Sequence, residues 1–116
     1  MHMTLKTLKL ITTCSLIYEE FHEFKEAHTH LTNYKPERSE TSNEAAALKE
    51  LADLVYVCFQ YAANQDWDLN TAMDRVHKSN MSKLGEDGKP IRREDGKVLK
   101  GPNYAPPYLE DLCNLI

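Results

Sequence analysis

EEFHEFKEAHTHLTNYKPERSETSNEAAALKELAD, residues 19–53, carries two acidic pairs at one spacing. Glu20 and Glu23 are three apart, and so are Glu50 and Asp53. Three residues on a helix is nearly one turn, so each pair projects from one face. Two such helices side by side would bring four carboxylates to one spot. Without a cation that group repels itself. With Mg²⁺, or Mn²⁺ in its place, it becomes a hard-oxygen site suited to holding phosphates.

Working outward, the spacing predicts a first helix over residues 4–30. Leu10, Cys14, Ile17, Phe21, Phe24 and Leu31 recur at three, four and seven. Glu20 and Glu23 fall beside this stripe, at a packing boundary, and Glu19 lies further toward solvent. Thr12 and Thr13 weaken the intrinsic helix preference. TNYKPERSETS, residues 32–42, holds Pro36 and has no period, so it reads as a loop. Ser42 or Asn43 would cap a second helix over residues 43–64. That helix carries two apolar arcs. Leu48, Leu51, Val55, Cys58, Phe59 and Ala62 form one. Leu54, Val57 and Tyr61 form the other, which Glu50 and Asp53 continue. A helix apolar on two sides is buried between several neighbours. One short chain cannot supply them, so a homo-oligomer, dimer or tetramer, is expected to complete the bundle.

Residues 64–68, NQDWD, read as a turn, with Asp68 or Asn70 capping a third helix over residues 69–84. Leu69, Met73, Val76, Asn80 and Leu84 would line its inner face. After Gly85 the element EDGK occurs twice, at residues 86–89 and 94–97. Two turns around a short IRRED segment suggest a small hairpin or an irregular ordered loop. Pro107 would open a short last helix, residues 108–115. The expected fold is therefore all-α: an antiparallel helical bundle in a single domain, residues 1–116, with that loop before a short C-terminal helix.

A chain of 116 residues with 41% hydrophobic content is one ordinary domain with a modest core. A net charge of −4 argues against a nucleic-acid polymer as partner. Cys14, Cys58 and Cys113 are odd in number and widely spaced, so neither a disulfide framework nor a zinc site is expected. Cys14 and Cys58 read as buried small hydrophobes. No apolar stretch approaches membrane-spanning length, and LKTLKLI is too short and lysine-rich for a secretory signal. A cytoplasmic protein is expected, in the host cytoplasm if a phage encodes it.

A single helical Glu or Asp is usually just solvated. Here the helix phases set both pairs against apolar arcs, where a lone carboxylate is costly. Glu19 with His22 and Asp74 with His77 mimic the E-x-x-H element of di-iron bundles, but the four long helices such a site needs are lacking. There is no P-loop, no G-x-G-x-x-G and no nucleophile elbow. The stretch from residue 76 to 104 is rich in donors, among them His77, Asn80, Lys83, Lys97, Lys100 and Tyr104. Positive groups beside an acidic metal site suit phosphate and substrate binding.

EExxE at residues 19–23, twenty-six residues, then ExxD at residues 50–53 resembles the signature of the MazG-like all-α nucleotide pyrophosphohydrolases. VHKSNMSK, residues 76–83, with DGKPIRREDGKVLKGPNY, residues 87–104, resembles the phosphoribosyl-ATP pyrophosphohydrolase-like branch, found in bacteria and phages. The resemblance implies a helical oligomer and Mg²⁺-dependent hydrolysis of (deoxy)nucleoside triphosphates between the α and β phosphates. The products would be the monophosphate and pyrophosphate. It implies Glu20, Glu23, Glu50 and Asp53 as metal ligands, with Glu19 supporting them or orienting water. It sets His77, Asn80 and Lys83 near the phosphates. Many relatives in that branch carry a further helix ahead of EExxE, which this sequence begins too late to include; base preference and assembly state stay open. Two other readings remain: a pyrophosphohydrolase for a specialised nucleotide such as phosphoribosyl-ATP, and a non-catalytic helical assembly module.

Overall fold

A computed structural model describes residues 3–32 and 40–113. The chain forms two compact units, residues 1–65 and 66–116. The fold is helical, with one small two-stranded sheet.

The first unit holds α1 (Leu5–Thr32) and α2 (Glu40–Asn64), which pack along each other. Seven residues can extend only about 25 Å, while each helix is roughly 40 Å long, so two helices in lengthwise contact must run antiparallel. Thr4 caps α1: its Oγ1 accepts the Thr7 N–H at 3.1 Å. The hydroxyls of Thr12 and Thr13 donate to the carbonyls of Leu8 and Lys9, which satisfies them within the helix.

The main stripe of α1 turned away from solvent runs Leu10, Thr13, Ile17, Glu20, Phe24 and Ala27, with Leu16 and His30 also half-buried. This stripe lies one position away from the expected one at several places. Thr13 replaces Cys14, and Glu20 replaces Phe21, which is 47% exposed. On α2 the inward stripe runs Asn43, Ala47, Glu50, Leu54, Val57 and Tyr61, the arc that continues into the acidic pair. Most of the other arc faces out: Leu48, Leu51, Val55 and Phe59 are exposed, while Cys58 is half-buried and Ala62 buried. The buried apolar residues among those described are small ones, Ala27, Ala47, Val57 and Ala62. Two helices can cover only one side of each other, so within one chain the second arc stays uncovered. Cys14 is exposed and Cys58 only half-buried, so neither is the buried hydrophobe expected.

α2 begins at Glu40, so Ser42 and Asn43 are helical and neither is its cap; the loop expected over residues 32–42 lies largely outside the described residues.

In the second unit, Asp66 takes φ 56°, a left-handed turn that Asp tolerates, within the expected turn. Asp68 then caps α3 (Leu69–Met81), accepting from the Thr71 N–H at 3.0 Å and the Thr71 hydroxyl at 2.7 Å. The helix stops at Met81, three residues early. Ser82 turns its hydroxyl back to the Ser79 carbonyl at 2.6 Å while accepting from the Ala105 N–H at 3.0 Å. Leu84 then bridges to Pro90. Met73, expected inward, is 54% exposed; the working face of α3 is Arg75, Ser79 and Ser82, which grips the tail.

The two EDGK elements fold alike. Gly85 N–H donates to Lys89 O, and Arg93 N–H to Lys97 O, each at 2.8 Å. Asp87 and Asp95 accept from the N–H two residues on. Gly88 and Gly96 take φ 75° and 88°, which glycine adopts without strain. The expected hairpin follows: β1 (Ile91–Arg92) pairs antiparallel with β2 (Val98–Leu99), Ile91 opposite Leu99. Among the described residues the expected last helix is a single 3₁₀ turn, Glu110–Leu112; its end, residues 114–115, lies outside them. Asp111 and the Tyr108 carbonyl are tied to Arg75 instead of serving a longer helix.

Candidate metal centre

Glu20 lies mid-stripe on α1, and Glu50 with Asp53 mid-stripe on α2. Antiparallel packing therefore brings them together. One oxygen from each lies within 4.8 Å of the others. Ligand oxygens around an octahedral Mg²⁺ sit about 3–4 Å apart, given its 2.0–2.1 Å bonds, so a small contraction would close the set. Glu20 Oε2 and Glu50 Oε2 are both shut off from solvent with no hydrogen-bond partner. Buried carboxylate oxygens left without a donor are costly, and a cation removes the cost. The donors are all hard oxygens. They fit Mg²⁺ or Mn²⁺ and give no reason for a soft metal.

The electrostatics agree. Burial pushes the Glu20 carboxyl above its ordinary value of 4.5, and neighbouring Glu23, Asp53 and Glu50 push it further. The Lys49 ammonium offsets some of this charge, with Nζ 2.8 Å from Asp53 Oδ2 and 3.5 Å from Glu50 Oε1. Its bond to Asp53, aided by the charges of both carboxylates, raises its pKa. Sequence reasoning missed Lys49. The signal was present as a Lys four residues ahead of Asp53 on one helix face.

Glu23 is exposed and stays outside the three-carboxylate group, although it touches the Glu20 carboxyl. Glu19 is also exposed; it lines a shallow groove of about 570 Å³ with Cys14, Tyr18 and Tyr61. His22 packs edge-on against Tyr18, centroids 4.4 Å apart, and among the described residues no histidine or cysteine joins a metal-competent group.

The remaining candidates belong to the second unit. His77 and Asn80 are exposed on α3, and Lys83 follows its end, half-buried. Lys97 is exposed at the second EDGK turn. The Lys100 ammonium rests over the Tyr104 ring, 4.8 Å from its centroid, a cation–π contact.

No helix among the described residues is long and apolar enough to cross a membrane. Comparison with curated proteins returns no match. A protein-family model described as phosphoribosyl-ATP pyrophosphohydrolase matches residues 3–80, a span that contains both helices of the carboxylate site and nearly all of α3. With most of its length so matched, the chain belongs to the phosphoribosyl-ATP pyrophosphohydrolase family, a family of nucleotide pyrophosphohydrolases.

Proposed function

We propose that this protein hydrolyses (deoxy)nucleoside triphosphates between the α and β phosphates, giving the monophosphate and pyrophosphate, with Mg²⁺ held by Glu20, Glu50 and Asp53. The observation that carries this reading is the pair of buried, donorless oxygens on Glu20 and Glu50 within a three-carboxylate group. Mg²⁺ bound there would neutralise phosphate charge and lower the pKa of a water. The chain's residues do the rest. Glu23, beside Glu20, is placed to accept a water or complete the ligand set. Glu19, one position from Glu20 and open to solvent, is suited to orienting the attacking water. Water adds to the α-phosphorus and gives up a proton to solvent, the bond to the bridging oxygen breaks, and pyrophosphate leaves with the electron pair. Such a reaction asks mainly for positioning and charge neutralisation.

His77, Asn80, Lys83, Lys97, Lys100 and Tyr104 are the proposed phosphate and substrate contacts. The two EDGK turns support this for the loop lysines, because they fix the backbone of a long segment that would otherwise be mobile. Residues 1–116 are taken to act as one catalytic domain in the cytoplasm. A homo-oligomer is part of the proposal. The outward arc of α2, Leu48, Leu51, Val55 and Phe59, is a contiguous apolar face of the kind a second copy covers.

The family description favours a second substrate, phosphoribosyl-ATP, whose cleavage is the same reaction on a modified adenine nucleotide. A panel of the common NTPs, dNTPs and phosphoribosyl-ATP with Mg²⁺ tests both readings. Pyrophosphate release is expected from at least one. Release of orthophosphate alone, or none from any member, would overturn the proposal.

A further inference from the structure

We propose that Lys49 exchanges partners during turnover: it rests on Asp53 and Glu50 in the ion-free protein and passes to the substrate's phosphates when a divalent cation takes those carboxylates. This rests on the metal-site reading above.

The ion pair is present but weakly held. Lys49 is 68% exposed, Asp53 41% and Glu50 21%. Exposed pairs of this kind contribute little, and a Lys placed N-terminal to its acidic partner is the weaker of the two helical orientations. As a fold-stabilising contact it is poorly designed. As a temporary counter-ion it is well placed. Its bond falls on Asp53 Oδ2, and Asp53 belongs to the three-carboxylate group. An ammonium and a divalent cation drawing on the same carboxylates repel each other, so metal entry loosens Lys49.

Where the ammonium goes next follows from its root. Lys49 precedes Glu50 by one residue and its side chain is largely exposed, which marks the open side of the group, whereas Glu20 Oε2 and Glu50 Oε2 are shut off from solvent. A phosphate chain reaching metal held by these carboxylates arrives from the open side. The four-carbon stem lets the ammonium meet it there as a point charge. Lys49 thus joins the proposed phosphate cations Lys83, Lys97 and Lys100, and within the first unit it already pairs with the carboxylates.

The test uses the full chain and Lys49→Met, which keeps the stem and removes the charge. Far-UV circular dichroism checks that the helices persist. Mn²⁺ alone is titrated first by calorimetry, then inorganic triphosphate in saturating Mn²⁺. Removing the competing ammonium is expected to tighten Mn²⁺ binding about threefold. Losing the charge-assisted contact is expected to weaken triphosphate binding about tenfold. Lys49→Arg is expected to restore triphosphate binding in large part. If Lys49→Met binds Mn²⁺ no tighter than wild type, or binds triphosphate as well, the exchange is wrong while the metal site stands. Wild-type protein that takes up no Mn²⁺ would sink the metal site itself.

Discussion

The two units treat their acidic groups in opposite ways. In the second unit each perturbed carboxylate has a donor. Asp68 accepts from the Thr71 backbone and hydroxyl, Asp95 pairs with Arg93, and Asp111 with Arg75; all three are held below their ordinary value by those bonds. In the first unit, burial and three neighbouring carboxylates push Glu20 up, and oxygens of Glu20 and Glu50 have no donor. Apolar groups do not divide this way: Leu48, Leu51, Val55 and Phe59 are exposed in the first unit, and Met73, Met81 and Tyr108 in the second. A carboxylate with a matched donor is holding the fold. One crowded by its own kind, as Glu20 is, gains from any cation that reaches it.

The sharpest test of that contrast is to remove charge from the first unit without changing shape. Glu50→Gln or Asp53→Asn is expected to lower pyrophosphate release by about a thousandfold, since metal ligation is worth several kcal/mol of transition-state stabilisation. Helical circular dichroism should stay as it is. Turnover near wild type at saturating Mg²⁺ in either variant would break the assignment.

Next in size is the outer arc. Leu48→Lys with Val55→Lys sets two charges on a face proposed to meet a second copy. Wild type is expected to sediment as at least a dimer at micromolar concentration. The double variant should dissociate about a hundredfold more readily, the cost of leaving charge where apolar area was buried. A wild-type monomer at that concentration would remove the reason for the exposed arc.

In the second unit the expected effect is on stability. A Cβ on Gly101 would lie 2.5 Å from the Leu84 carbonyl oxygen and 2.7 Å from that of Lys83, both backbone atoms that cannot swing aside. Gly101→Ala is therefore expected to cost about 1–3 kcal/mol in denaturant unfolding, as overpacking does. An unchanged midpoint would mean the turn is looser than its contacts indicate.

These sites were not equally legible in the sequence. The three helices, the hairpin and the Asp68 cap follow from period and turn chemistry, which are local. The meeting of Glu20 with Glu50 and Asp53 followed too, because two equal spacings on adjacent helices share a phase. Period alone did not choose between neighbouring stripes. Thr13 and Cys14 differ by one position, and only the partner helix decides which turns inward. Nor did it say which arc of α2 is covered, since both are apolar. The tail was least legible. Its single 3₁₀ turn is set by Arg75 reaching Asp111, thirty-six residues away, a pairing no local pattern announces.

The smallest expected effect lies in pH, and it separates the two units most cleanly. Glu20 has a folded pKa above its ordinary 4.5, so between those values the native state binds more protons than the unfolded one. Stability then falls as pH rises through that window. The penalty is absent below about 4.5 and complete above the raised value. Asp68, Asp95 and Asp111 do the reverse. Their depressed values add stability above their ordinary 3.8, lost as pH falls through the lowered values, so their window lies below that of Glu20. Glu20→Gln isolates the first term, because glutamine cannot ionise. Without metal, the variant's melting temperature relative to wild type should be flat below pH 4.5, rise above it and then level off. Adding Mn²⁺ at pH 7 should reverse the order, since only the native carboxylate gains from a cation that binds the folded state. A difference that stays constant from pH 4 to pH 8 would mean Glu20 is not crowded in solution. A reversal missing at pH 7 would mean that the crowding serves no metal.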